Sequence, residues 1–103
     1  MGEGRKYTVL VSGRARDLLF EHAQFLAQVS VKAGEMLIDQ FEERVISLEL
    51  MPERCASYDN PFIRPGKYRK LSLGNCLLIL FQVIGTTVYI EHVIDSRAEN
   101  AGL

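Results

Sequence analysis

A chain of 103 residues has room for one domain and a single hydrophobic core. Hydrophobic residues make up 48% of it and charged residues 24%, an ordinary globular balance, and a net charge of −1 excludes a protein that holds nucleic acid by bulk charge alone. A local basic patch stays compatible with that sum, so the placement of the charges decides more than their number.

The first five residues, MGEGR, are glycine-rich and charged and are expected to be loose, as is the tail AENAGL over 98–103. The N-terminus has no apolar stretch of the secretory kind, and no run approaches the ~18–20 apolar residues that span a bilayer. Cys55 and Cys76 form no CxxC pair and have no histidines at metal-ligand spacing, so they read as free thiols of a reducing compartment. The expectation is one soluble cytoplasmic domain over 1–103, with no membrane association.

From Lys6 to Ser12, Tyr7, Val9 and Val11 alternate with Thr8, Leu10 and Ser12, the period of two of a strand. A helix then starts at Ser12 or Gly13, with Leu18, Leu19, His22, Phe25, Leu26 and Val29 on one apolar stripe. Ser30 caps a second helix through Met51, whose stripe is Ala33, Leu37, Phe41, Val45 and Leu48, widened by Met36, Ile38 and Ile46. The tight connection predicts a helical hairpin, and Pro52 ends it. Met51 to Gly66 holds all three prolines and reads as a long loop.

Three strand-like runs follow: Lys67–Leu73, Asn75–Ile84 and Thr86–Asp95, separated by Gly74-Asn75 and Gly85-Thr86. They predict an antiparallel meander. The order βααβββ, with a helical hairpin on one face of an antiparallel sheet, is an α+β architecture. The first strand is expected at an edge or beside the last strand. Everything upstream of Lys67 covers one sheet face, and the other face poses the functional question.

No glycine-rich phosphate loop, HExxH or GxSxG is present. His22 lies on the first helix's apolar stripe. His92 alternates with Val88, Ile90 and Ile94, which predicts a core-facing side chain, although a bulge near Glu91-His92 would reverse it. The basic residues are more informative. Arg54, Arg64, Lys67, Arg69 and Lys70 fall within a short stretch opposed only by Asp59, while most of the acid sits on the second helix. This is either a solvated face or a surface for a polyanion, since arginine pairs well with phosphate. Tyr58, Phe62, Tyr68 and Tyr89 are interleaved with these charges and could stack on bases.

The strand YTVLVS followed by ARDLL, the Leu-x-x-x-Pro of LELMP, GKYRKLSLGN, the hairpin LLILFQVIGTTVYI and the terminal HVIDSR together resemble the RelE/ParE superfamily of type II toxin–antitoxin toxins, or plasmid stabilisation proteins. The resemblance runs from about Tyr7 to Arg97 and implies a cytoplasmic toxin held by a small antitoxin. RelE-like members cut messenger RNA in the ribosome without a metal ion or other cofactor, whereas ParE-like members poison DNA gyrase. Carried over, the pattern implies Arg69 and Arg97 as catalytic arginines and His92, Tyr89 or Glu91 for proton transfer. Lys67, Lys70, Arg64 and Tyr58 would bind RNA. The sequence departs from the RelE-like pattern at Leu78, where the middle strand carries an arginine, at Leu71, and in a tail without tyrosine. A ribosome-dependent endoribonuclease, a gyrase-binding toxin and an attenuated member bound only by its antitoxin therefore all stay open.

Overall fold

The computed structural model describes residues 6–97; both tails expected to be loose lie outside that range. The element order is β1 (Thr8–Val11), α1 (Gly13–Ala27), α2 (Val31–Leu48), a 3-10 turn (Pro52–Arg54), β2 (Ser57–Tyr58), β3 (Tyr68–Leu73), β4 (Leu77–Ile84) and β5 (Thr87–Asp95). The five strands form one sheet in the order β1-β5-β4-β3-β2. All pairs are antiparallel except β1 with β5. The first strand thus lies both at an edge and beside the last strand, and the expected α+β fold is the one observed.

Both helix starts follow from local chemistry. Ser12 and Ser30 accept hydrogen bonds from the amides of Ala15 (3.0 Å) and Ala33 (3.2 Å), so each satisfies a donor that the first helical turn leaves open. The hairpin turns of the meander use Gly74 (φ +61°) and Gly85 (φ +62°), left-handed conformations that other residues adopt only with strain.

The helices cover one sheet face. Ala15, Leu19, Leu37, Phe41 and Leu48 pack there on Leu73, Ile79, Phe81, Val88, Ile90 and Val93. Phe81 is fully buried, and removing such a side chain from water is worth about 2–3 kcal/mol. The stripe expected on α1 is partly corrected. Its buried residues are Ala15, Leu19 and Ala23, whereas Phe25 is 69% exposed and Val29 92% exposed. Small residues mark the true contact because α2 comes very close. A Cβ on Gly34 would lie 2.7 Å from the Ala23 carbonyl oxygen. On α2, Met36 and Ile46 are likewise exposed rather than part of the core.

The long loop expected over Met51–Gly66 is more structured than its prolines suggested, since it contains the 3-10 turn and β2. It also changes the second sheet face. Tyr58 of β2 and Ile63 close over Tyr68, Leu78, Leu80 and Ile94 in a smaller core on the side away from the helices. Leu78 is therefore a packing residue of that second core.

Candidate functional site

The open part of the helix-free face is organised by one irregularity. Leu80 of β4 pairs with His92, but its neighbour Phe81 pairs with Ile90, so Glu91 is an extra residue in β5. A bulge of this kind lets consecutive side chains share a face. Ile90 and Val93 point into the main core, while Glu91 and His92 both meet Tyr68 on the other side. The core-facing orientation expected for His92 is thus corrected, through the bulge that was its stated alternative.

The side chains around the bulge form a connected set. The Tyr68 hydroxyl donates to Glu91 Oε1 at 2.7 Å, and the Gln82 amide donates to Glu91 Oε2 at 2.6 Å. The His92 ring stands edge-on to Tyr68, with ring centroids 5.7 Å apart and planes at 85°. Lys67, just before β3, sets its ammonium 5.2 Å from the Tyr68 ring centroid. Lys70 pairs with Leu80 and so extends the same face along β3. Tyr89 pairs with Gln82 and lies on this face of β5.

These positions set the protonation states. Burial first, then the nearby Arg14 and last Lys67, lower the His92 pKa below its ordinary 6.5, against an upward pull from Glu91 that ranks between the two cations. Burial first, and then the bond to Glu91, push Tyr68 up to about 12. At neutral pH the site therefore holds a neutral imidazole able to take a proton and a phenol that keeps its own.

The remaining expected residues divide. Arg69 pairs with Phe81 and lies on the opposite face, where its Nη1 donates to the carbonyls of Cys55 (2.7 Å) and Glu53 (3.1 Å). Arg97 lies beyond β5 and grips Asp95, with Nη2 2.8 Å and Nε 3.1 Å from the carboxylate oxygens. That contact lowers the Asp95 pKa to about 2. The two arginines are not brought together. Arg69 is level with Phe81 and Asp95 with Leu77, about 13 Å apart along β4 at the strand rise. Arg97 instead lines a cavity of about 510 Å³ with His22, Phe25, Leu26, Leu37 and Asp95, which takes His22 out of the core. Arg64 is exposed, and Tyr58 is buried at 4% exposure, so it stacks within the second core.

Arg14 was not among the expected residues, and it lines a cavity with Tyr89, Glu91 and His92. Only the backbone path from β1 into α1 brings it there. Burial raises the Cys55 thiol against the pull of Arg54 and Arg69, which makes it a poor nucleophile. Among the described residues no group of three or more His, Cys, Asp or Glu side chains could hold a metal ion. No helix among them is long and apolar enough to cross a membrane.

No family model matches the sequence, and no curated protein matches it. Among solved structures, a chain of the chromosomal ParDE TA system from P. aeruginosa superposes with a TM-score of 0.66 at 15% identity, covering 88% of this chain and 97% of that one. The chain has the RelE/ParE-type fold, as its sequence led us to expect.

Proposed function

We propose that this chain is the toxin of a type II toxin–antitoxin pair and that it cuts messenger RNA, in the ribosome, on the helix-free face of its sheet. The fold, shared with a chain of a toxin–antitoxin system, supports the first half. The second half rests on one observation: the bulge that sets Glu91 and His92 side by side next to Tyr68 and Lys67.

In this reading the 2′-hydroxyl of a nucleotide attacks the adjacent phosphorus and gives its proton to the neutral His92 imidazole. The new 2′-oxygen–phosphorus bond forms as the bond to the 5′-oxygen breaks, leaving a 2′,3′-cyclic phosphate. The 5′-oxygen departs with a proton from Tyr89, which shares the His92 cavity. Lys67 and Lys70 hold the phosphate and stabilise its developing charge. Glu91 acts as a positioning residue, tied to Tyr68 of β3 and Gln82 of β4. So few cations hold RNA weakly, which suits an enzyme that meets its substrate already bound in a larger particle.

Expression in a bacterial host, followed by primer-extension mapping of transcripts, tests the reading. Codon-positioned cuts that vanish in His92→Ala are expected. A second reading, a gyrase-binding toxin, is favoured by Leu78 in the middle strand and by the ParDE likeness. Blocked supercoiling with intact transcripts would select it, and no growth defect at all would leave an attenuated protein whose partner is its antitoxin. An antitoxin has apolar surface to cover: Phe25, Leu26, Val29 and Val31 are all exposed around the turn of the helical hairpin. Charged substitutions there should release a co-expressed antitoxin in a pull-down.

A further inference from the structure

Leu78 leaves the open face without a guanidinium from β4, and the cations of Arg69 and Arg97 are turned to other partners. A guanidinium reaches the face from elsewhere. β1 stops at Val11, and Ser12 anchors the turn into α1 against the bulged strand. Its amide donates to the Ile90 carbonyl at 2.9 Å, and its hydroxyl donates to the Glu91 carbonyl at 3.2 Å. Arg14 follows two residues later. With Leu10, Val11 and Ser12 on one side and Tyr89, Ile90, Glu91 and His92 on the other, it lines a cavity of about 410 Å³.

Helix stability does not account for that arginine. A cation in the first turn of a helix opposes the macrodipole, at a cost of about 0.3–1 kcal/mol. The first turn of α1 holds Arg14 and Arg16 and no acid. Nor does an ion pair account for it, since the Arg14 side chain has none among the described residues. It lies near enough to His92 to help keep the imidazole neutral, as Lys67 does. The cavity therefore combines an unpaired guanidinium, a phenol, an imidazole and an apolar wall in which Leu10 is half exposed.

We infer that this cavity binds one nucleotide of the RNA, with Arg14 on its phosphate and its base against Tyr89 and the Leu10 side chain paired with it. Arginine offers phosphate two parallel hydrogen bonds, and a base adds stacking to an aromatic side chain. The inference rests on the nuclease reading for the identity of the polymer, and it assigns the role of the absent middle-strand arginine to the start of α1.

The probe is a short 2′-O-methyl oligoribonucleotide, which cannot be cut, titrated into the full chain and followed by amide NMR. Shifts are expected at residues 10–14 and 89–92. Arg14→Ala should weaken binding about tenfold, and Arg14→Lys should recover only part of the loss because an ammonium cannot bind in two-pronged fashion. Lys32→Ala, on the exposed side of α2, should bind as the parent does. Equal binding by Arg14→Ala, shifts confined to residues 54–56 and 70–72, which line a separate groove, or no shifts at millimolar probe would each overturn the inference. So would loss of antitoxin binding in Arg14→Ala with RNA binding unchanged. Cleavage by the parent and by Arg14→Ala alike would overturn this inference alone. No cleavage by the parent, with shifts still in the cavity, would overturn the nuclease reading alone.

Discussion

The Tyr68 hydroxyl reaches across β4 to Glu91, donating a 2.7 Å hydrogen bond that joins the first residue of β3 to the bulged residue of β5. The contact holds the extra residue on the helix-free face. Were Glu91 paired in a regular ladder instead of bulged, the alternation of β5 would turn His92 toward the helices. The phenol–carboxylate bond thus sits at the irregularity that decides which way His92 points.

That bond has an alkaline signature. The Tyr68 pKa is raised from 10.0 to about 12 by burial and then by Glu91. A raised pKa contributes stability that is complete below pH 10 and is lost as pH climbs from 10 through about 12. Denaturant midpoints measured across that window should fall for the parent and fall less for Tyr68→Phe. Equal slopes would mean that the bond is absent in solution.

His92 gives a second titration, of opposite sense. Its pKa lies below 6.5 because of burial, Arg14 and Lys67. A depressed histidine contributes stability that is present above pH 6.5 and lost as pH falls through the folded value. Its imidazole proton signals in NMR should titrate below 6.5. The inflection should rise in Arg14→Ala and in Lys67→Ala, and fall in Glu91→Gln. If it stays put in both cation variants, the two cations do not face the ring.

Arg69 and Arg97 should separate cleanly. Arg69→Ala removes two hydrogen bonds to the carbonyls of Glu53 and Cys55, a loss of about 1.5–3 kcal/mol for charge-assisted bonds of this kind. Its urea midpoint should drop accordingly, and any loss of toxicity should follow stability. Arg97→Ala, on an exposed side chain outside the face, should leave both the midpoint and the toxicity near the parent's. A stable but non-toxic Arg97→Ala would move the site to the other end of the sheet.

Gly34→Ala tests the helical hairpin. Its Cβ would meet the Ala23 carbonyl oxygen at 2.7 Å and the Ala27 Cβ at 3.2 Å, so the helices must part. Overpacking of this kind costs about 1–3 kcal/mol, which calorimetry should register as a drop in Tm. An unchanged Tm would mean that the α1–α2 crossing gives way at no cost.

The sequence by itself determined the two helices and the four longer strands, because each rests on chemistry a few residues wide, whereas the 3-10 turn and the two-residue β2 stayed hidden in a proline-rich loop. Ser12 and Ser30 cap their helices wherever the helices go, and Gly74 and Gly85 permit hairpin turns whatever the strands pack against. The order of those elements carried the fold with it. What lay on which face was legible only where alternation ran unbroken, as from Val88 to Ile90. At His92 it failed, because the bulge exists only once Leu80 and Phe81 of β4 are laid against β5. Arg69 does lie in phase with Leu71 and Leu73 on the helix side, but its partners were not legible, because the carbonyls that bind it arrive on a loop more than ten residues upstream. Alternation missed Arg14 because only the parallel β1–β5 pairing brings the start of α1 beside Tyr89 and His92. A site is a relation between distant segments, and the tertiary structure alone decides which of them meet.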